Sequence, residues 1–131
     1  MIVALDDIPP AADPCDPTLD WRPVRDELGI SAFGVNAFLG HEPGDRVVER
    51  HNEDGEGGHE ELYVVVRGGA RFVIDGDEHE VPAGGLVLVA AGSTREAFAT
   101  VPDTAVLVVG AQPGVAFTPS AWEERQLRTG R

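Results

Sequence analysis

The stretch HEELYVVVRGGARFVIDG, residues 59–76, decides the fold of this chain. Runs of β-branched and aromatic residues flank the pair Gly68-Gly69, as in two short strands joined by a tight turn. A two-residue turn at this pair would set Val65 opposite Phe72. We therefore predict one apolar face that is made by four side chains: Tyr63, Val65, Phe72 and Ile74.

Polar residues stand at the start of this apolar face. Because side chains alternate along a strand, His59 and Glu61 lie on the same side as the apolar residues. The preceding predicted strand carries Glu49 and His51 together on one of its sides. If the acidic, glycine-rich residues 52–58 form a simple hairpin loop, His51 faces His59 and Glu49 faces Glu61. Directly opposed Cβ atoms in such a hairpin are about 4.5–5.5 Å apart.

This set of side chains predicts a metal site. Two inward carboxylates at that distance repel each other unless a proton or a cation lies between them. A mixed histidine and carboxylate set with open positions suits Fe(II), Mn(II), Zn(II) or Ni(II). We therefore expect one divalent metal ion, and we take four residues as its candidate ligands: Glu49, His51, His59 and Glu61.

Turn signals at short intervals separate nine runs of strand-forming residues, which is typical of an all-β sandwich or barrel. The predicted strands are Phe33–Leu39, Asp45–His51, His59–Arg67, Ala70–Asp75, Glu78–Val81, Leu86–Ala90, Arg95–Val101, Ala105–Gly110 and Val115–Thr118. A short helix is predicted at Arg22–Leu28, with Asp20 as its cap and Gly29 at its end. A second short helix is predicted at Ser120–Arg128, with Ser120 as its cap.

The chain has 131 residues, which is the length of one domain. Residues 1–20 are rich in proline and aspartate and predict an extended N-terminal arm, and residues 21–131 predict a single barrel domain with its core at about 32–118. No apolar run approaches the roughly 20 residues of a membrane helix. The N-terminus lacks the basic segment of a secretion signal. We therefore expect a cytoplasmic protein.

The charge balance excludes several classes of function. The chain has 23 acidic and 10 basic residues, a formal net charge of −13. That charge repels a nucleic-acid backbone and an anionic membrane surface. The basic residues are all arginine, so the chain cannot form a lysine Schiff base or a P-loop. Cys15 is the single cysteine, which excludes an intramolecular disulfide, and we interpret it as a free surface thiol.

The motifs resemble those of the cupin superfamily over about Ala32–Phe117. The strongest match is Glu61-Leu-Tyr-Val-Val-Val-Arg-Gly68, and two further segments that are typical of the family are Phe72-Val-Ile-Asp-Gly76 and Val81-Pro-Ala-Gly84. The resemblance implies a double-stranded β-helix, a jelly-roll-like barrel. It also implies a homodimer, formed by pairing of edge strands or by exchange of the N-terminal arms.

The chain departs from the family at the usual metal ligands. A His-x-His pair precedes the family's glutamate; by strict count those positions hold no histidine here, and with a longer loop they become Glu49 and His51, the alignment that we favour. In the second motif, the family's ligand histidine falls at Arg95 and a later asparagine at Ala99. Of the usual ligands, His51 is retained together with Glu61, so a metal site of the standard composition is absent.

Further residues of the barrel are candidates for ligand binding. Glu61 is a metal ligand or a general acid or base, or it forms an ion pair with Arg95. Arg95 would hold a carboxylate or enolate at the barrel mouth. We take Tyr63, Phe72 and Phe98 as residues that line a small-molecule pocket, with ordinary barrel core as the alternative. The register of the Arg95 strand is open by one residue.

Three functions remain open from the sequence. The first is a metal-dependent cupin enzyme of the dioxygenase, isomerase or lyase type, which acts on a small oxygenated or anionic molecule. Its catalytic candidates are Glu61, His51 and Arg95. The second is a metal-free binding module in which Arg95 replaces the metal. The third is a structural or interaction barrel. In each of the first two readings the partner is a small molecule, and nucleic acid and membrane are not partners.

Overall fold

The computed structural model describes residues 1–13, 16–55 and 58–129. Cys15 lies outside the described residues. The helices are α1 (Val24–Leu28) and α2 (Ala121–Thr129), and Leu5–Asp7 forms a 3₁₀ turn. The strands are β1 (Asp20–Arg22), β2 (Gly34–Gly40), β3 (Arg46–His51), β4 (Glu60–Arg67), β5 (Gly69–Ile74), β6 (Asp77–Pro82), β7 (Leu86–Val89), β8 (Arg95–Ala99) and β9 (Thr104–Ala111).

The strands form two antiparallel sheets that enclose the core. One sheet has the order β1-β2-β9-β4-β7 and the other the order β3-β8-β5-β6. Eight of the nine predicted strands are present with small shifts at their ends. The predicted strand Val115–Thr118 is not formed, and β1 occupies residues that were expected to cap and begin the first helix. The all-β jelly-roll-like barrel with two short helices is confirmed.

The hairpin predicted at Gly68-Gly69 is wrong, and the reason is topological. β4 pairs with β7 and β9, whereas β5 pairs with β6 and β8 in the other sheet. Gly68 is the corner at which the chain crosses between the sheets. Its φ is +73°, and a Cβ atom there would collide with the side chain and the backbone of Thr104.

The inward face of this stretch is nevertheless as predicted for its largest side chains. Tyr63, Val65 and Phe72 are buried, because both strands turn the same alternating set of residues toward the space between the sheets. The rings of Tyr63 and Phe72 meet across that space with their centroids 5.6 Å apart. The two side chains therefore face each other from opposite sheets and are not neighbours on one sheet. Ile74 is half-buried.

The second predicted hairpin is also wrong. β3 pairs with β8, so that His51 lies opposite Arg95 rather than His59. Glu61 of β4 lies between Val89 of β7 and Gly110 of β9, and the predicted opposition of Glu49 and Glu61 is not formed. β3 and β4 belong to different sheets and approach each other across the interior.

The N-terminal segment packs on the barrel instead of extending away from it. Ile8 and Leu19 are buried, and Ala11 forms a β-bridge with Trp21. The guanidinium of Arg67 donates two hydrogen bonds to the Asp6 carboxylate, at 3.2 and 2.8 Å. Exchange of this segment between two copies, and with it the homodimer, stays a prediction.

The two helices begin and end where local chemistry allows. α1 ends at Gly29, whose φ of +72° is the left-handed conformation that glycine adopts without strain. α2 begins after Ser120, whose hydroxyl accepts a hydrogen bond from the Glu123 amide at 3.1 Å, as predicted. α2 also brings Trp122 against Trp21, with ring centroids 4.8 Å apart.

Candidate functional site

A cavity of about 260 Å³ opens between the two sheets. Much of its wall is apolar and comes from both sheets, from the segment before β1 and from α2: Leu19, Phe38, Val48, Tyr63, Val108 and Trp122. The polar side chains of the wall are Asn36, Glu49, His51, Glu53, Glu61 and Ser120. Of the four polar residues that the sequence predicts at this place, Glu49, His51 and Glu61 line the opening, and His59 is not among its wall residues.

Three of these polar side chains converge on one point. The Nε2 atom of His51 lies 3.4 Å from Oε2 of Glu53 and 3.6 Å from Oε1 of Glu61. One donor atom from each of the three residues lies within 4.8 Å of the other two. His51 comes from β3 and Glu61 from β4, so the two sheets each contribute a ligand atom to the cluster.

The imidazole of His51 is held in one orientation. Its Nδ1 atom donates a hydrogen bond to the backbone carbonyl of Glu49 at 2.6 Å, which directs Nε2 at the two carboxylates. Burial alone would lower the pKa of His51, but the carboxylates of Glu53 and Glu61 raise it to about 10. A protonated His51 therefore supplies the positive charge that the carboxylates need. Without its proton, Nε2 of His51 would present a lone pair toward the carboxylates of Glu53 and Glu61.

Glu61 is the most constrained carboxylate of the cluster. The hydroxyl of Tyr63 donates a hydrogen bond to its Oε1 atom at 2.7 Å. Burial alone would raise the pKa of Glu61, but its contacts with His51 and Tyr63 lower it. Burial and the negative charge of Glu61 raise the pKa of the Tyr63 hydroxyl well above its usual range. Glu61 is therefore held as a carboxylate and Tyr63 as a hydrogen-bond donor.

Glu53 belongs to the cluster although the sequence did not single it out. It lies in the stretch that is predicted to be a simple hairpin loop, yet only 6% of it is exposed. Its amide donates a hydrogen bond to the carbonyl of Ala91 at 2.8 Å, and its carbonyl accepts one from Gly58 at 2.9 Å. These backbone bonds fold the loop inward and bury the carboxylate. The alternation of polar and apolar residues in the sequence does not predict that the Glu53 carboxylate is buried.

Two of the four candidate metal ligands lie beside the cluster and not in it. Nδ1 of His59 is 3.8 Å from Oε1 of Glu53, and its ring packs on Phe117. The carboxylate of Glu49 meets Asp13 of the N-terminal segment, and burial together with this contact raises the pKa of Glu49 to about 7. His59 is therefore a neighbour of Glu53, and Glu49 contributes its backbone carbonyl to orient His51.

Arg95 points inward, which resolves the register of β8. It is fully buried, and its Nη2 atom donates hydrogen bonds to the carbonyls of Val89 and Ala90 at 3.4 and 3.0 Å. Its Nε and Nη1 atoms have no hydrogen-bond partner in the described part of the chain. The positive charge of Arg95 contributes to the lowered pKa of Glu61, although the two side chains form no ion pair within 4.0 Å among the described residues.

The aromatic candidates separate into inward and outward residues. Tyr63 lines the cavity, and Phe72 is buried behind it in the core. Phe98 lies on the outer face of β8 between two guanidinium groups, with Arg46 at 5.4 Å and Arg71 at 5.0 Å from its ring centroid. The expectation that Phe98 lines the pocket is therefore wrong, because the register that turns Arg95 inward turns Phe98 outward.

The donor atoms of His51, Glu53 and Glu61 fit a divalent metal ion. Two ligands that each lie about 2.1 Å from one ion in tetrahedral geometry are about 3.4 Å apart. Two of the three separations, from His51 to each carboxylate, are 3.4 and 3.6 Å, which match that value and exceed an ordinary hydrogen bond of about 2.7–3.2 Å. The third, between the two carboxylates, is within 4.8 Å. One nitrogen and two carboxylate oxygens also form a donor set that such ions accept.

Comparison of the sequence with protein-family models and with curated proteins gives no match. Solved structures do match. A sugar phosphate isomerase from a cupin superfamily, from Silicibacter pomeroyi, is 22% identical with a TM-score of 0.64, over 86% of this chain and 77% of that chain. A predicted oxalate decarboxylase from Thermotoga maritima is 18% identical with a TM-score of 0.62, over 84% and 97%.

A third similar structure is an RmlC-like cupin protein from Desulfovibrio desulfuricans, which is 27% identical with a TM-score of 0.53, over 62% of this chain and 73% of that chain. The fold is that of the cupin superfamily, and the resemblance stated from the motifs is confirmed. None of the helices in residues 1–13, 16–55 and 58–129 has the length and apolar character to cross a membrane.

Proposed function

We propose that the cavity is a divalent-metal site that acts on a small oxygenated molecule, with His51, Glu53 and Glu61 as the ligands. The observation that carries this proposal is the convergence of the three donor atoms, one nitrogen and two oxygens, within 4.8 Å of one another at the cavity wall. Similar folds carry the names of enzymes for a sugar phosphate and for oxalate, both small oxygenated molecules, which supports an enzyme of this general kind.

The chain's own residues prepare the site in three ways. The Glu49 carbonyl fixes the ring of His51, and the Tyr63 hydroxyl fixes the carboxylate of Glu61. The apolar wall lowers the local dielectric and thereby strengthens electrostatic contacts with a bound molecule. A bound divalent ion would polarise a carbonyl or enol oxygen as a Lewis acid, which suits dioxygenase, isomerase or lyase chemistry. Fe(II), Mn(II), Zn(II) and Ni(II) all accept this donor set.

Metal analysis with matched variants tests the proposal. The purified protein is loaded separately with Fe(II), Mn(II), Zn(II) and Ni(II), dialysed and analysed for bound metal, beside His51→Ala and Glu61→Gln. His79→Ala is the control, because His79 is exposed on β6, where it lies opposite Phe72 of β5. We expect one equivalent of metal in the wild type and in the control, and loss of it in the other two variants. Absence of metal under every loading condition, or equal binding by all four proteins, contradicts the proposal.

Arg95 supports a second candidate function, a metal-free site for a small anion. Two of its guanidinium nitrogens are buried without a hydrogen-bond partner among the described residues, and an anion would satisfy them. This function predicts that metal-free protein binds oxalate and that Arg95→Met, which keeps the volume of the side chain, abolishes the binding. Oxalate binding that is absent from the wild type, or unchanged in Arg95→Met, excludes this candidate.

A further inference from the structure

We infer that the molecule held in the cavity is uncharged and largely apolar, with a carbonyl or hydroxyl group at one end, and is not a phosphate or a dicarboxylate. This inference rests on the proposed function in one respect, since the polar end would lie against the proposed metal ligands. The apolar wall, the sign of the charges around the cavity and the amide of Asn36 each support it separately.

The wall defines the size and the polarity of the occupant. Six apolar or aromatic side chains, among them Phe38, Val48 and Val108, surround about 260 Å³. For comparison, an engineered cavity of about 150 Å³ lined by aliphatic and aromatic side chains binds benzene. The cavity therefore has room for a molecule with two fused rings or an aliphatic body of similar volume. Transfer of such a body from water is favourable without any polar contact.

The charges around the cavity disfavour an anion. Its charged wall residues are three glutamates and His51, and no arginine is among the described wall residues. The chain has no lysine. Arg95 is fully buried outside the wall, and its Nη2 atom is bound to the carbonyls of Val89 and Ala90. Even a divalent ion would have its charge cancelled by the carboxylates of Glu53 and Glu61. The positive charge of His51 is likewise offset by these two carboxylates. A phosphate in the cavity would therefore lose its hydration shell without gaining an arginine or a net positive charge in the wall.

Asn36 offers the cavity an uncharged hydrogen-bond donor. The indole nitrogen of the fully buried Trp21 donates a hydrogen bond to Oδ1 of Asn36 at 2.9 Å. Because an indole N–H can only donate, this bond fixes the oxygen of the amide and directs its NH₂ group elsewhere. Asn36 lies in the wall of the cavity, and its NH₂ group donates no hydrogen bond to any described residue. A carbonyl or hydroxyl oxygen of the ligand would be a hydrogen-bond acceptor for this group.

A matched pair of probes tests the inference. Binding of 2-naphthol and of 2-naphthyl phosphate, which share the ring and differ in charge, is measured by calorimetry on metal-free and on Mn(II)-loaded protein. We expect 2-naphthol to bind both forms, and at least about tenfold more tightly than the phosphate. Equal or tighter binding of the phosphate overturns the inference. The measurement on metal-free protein does not depend on metal binding. It therefore tests the charge and polarity of the ligand even if the protein binds no metal.

Variants show whether the probe occupies this cavity. Val108→Trp fills it and is expected to abolish 2-naphthol binding, whereas Val66→Trp on the exposed face of β4 is expected to leave binding unchanged. Val48→Phe provides the same test if Val108→Trp does not fold. Undiminished binding in the cavity-filling variants, or equal loss in Val66→Trp, overturns the inference.

Asn36→Asp tests the amide directly. The variant keeps an oxygen acceptor for Trp21 but replaces the NH₂ donor with a carboxylate oxygen. We expect 2-naphthol binding to weaken at least about tenfold, because a hydrogen-bond donor is replaced by a charged acceptor. Thermal unfolding checks that the Trp21 contact persists. Unchanged affinity in a folded Asn36→Asp variant removes Asn36 from the ligand site and overturns that part of the inference.

Discussion

Both halves of β4 direct every second side chain toward the space between the sheets, but the two halves border different parts of that space. In the second half, Val65 is fully buried in a filled core beside Val106 of β9, and it is not among the residues that line the cavity. In the first half, Glu61 and Tyr63 line an opening of about 260 Å³. One strand therefore carries both the packing that stabilises the barrel and the polar residues of the site. The difference lies in what the opposite sheet places across from each half.

The partners across the interior explain the contrast. The rest of the filled core consists of apolar side chains from both sheets, including Phe72, Ala97 and Ala99. Opposite Glu61, β3 and the loop after it place His51 and Glu53. His51, Glu53 and Glu61 each have a partner of opposite charge within the cluster, which is the condition under which a protein tolerates burial of such groups.

Replacement of a phenylalanine by alanine is expected to lower the free energy of unfolding more in the filled core than at the wall of the cavity. Phe72→Ala removes a fully buried ring and should lower the free energy of unfolding by about 3–5 kcal/mol, because it leaves a void. Phe38→Ala removes a ring that already borders the cavity, so the loss should be close to the transfer term alone, roughly 1.5–3 kcal/mol. Denaturant unfolding of both variants gives the comparison. Equal losses would mean that the two regions are packed alike.

Glu53 is expected to contribute to metal affinity despite its place in a loop. Glu53→Gln keeps the size of the side chain and removes one charge from the cluster. We expect the affinity for Mn(II) to fall at least about tenfold. Glu60→Gln is the matched control, since Glu60 is adjacent to Glu61 and exposed on the other face of β4. The affinity is measured by titration with competing chelators. A Glu53→Gln variant that binds like the control would remove Glu53 from the ligand set.

A smaller effect is expected from Asp20, outside both regions. Burial would raise the pKa of this carboxyl, but hydrogen bonds from Arg22 and His41 lower it. A carboxyl with a lowered folded-state pKa adds stability above its unfolded pKa of about 3.9, and this stability is lost as the pH falls through the folded value. The wild type should therefore lose up to about 1 kcal/mol more than Asp20→Asn on acidification.

Unfolding in urea at neutral pH and at about pH 3 measures this difference. Asp77→Asn is the control, because Asp77 is exposed on β6 and has no ion pair within the described residues. A wild type whose acid sensitivity equals that of Asp20→Asn would show that the contact with Arg22 and His41 contributes nothing to stability.

The sequence predicts inward faces better than strand partners. The period of two placed Tyr63, Val65 and Phe72 inside, because alternation depends only on the local strand. The partners of β4 and β5 were wrong because a two-residue turn pairs neighbours in sequence, whereas Gly68 sends the chain to the other sheet. The residues of a single strand do not indicate which distant strand pairs with it.

The candidate site shows the same limit. The side chains of His51 and Glu61 lie close together, as predicted. They meet across the space between the sheets, however, and not on neighbouring paired strands. No feature of the sequence predicts Glu53 as a residue of the site. Its burial results from hydrogen bonds between the loop backbone and residues that are distant in sequence, such as Ala91. The positive charge that the inward carboxylates require was expected from a metal or from Arg95. His51 itself supplies it in the structure, by virtue of its raised pKa.

A crystal structure of the Mn(II)-loaded protein, with anomalous scattering recorded for manganese, tests whether His51, Glu53 and Glu61 hold one metal ion. We expect one strong anomalous peak within bonding distance of Nε2 of His51 and of carboxylate oxygens of Glu53 and Glu61. His51 would keep its Nδ1 hydrogen bond to the Glu49 carbonyl. A peak at another place, or no peak with His51 still paired to both carboxylates, would show that these three residues do not form a metal site.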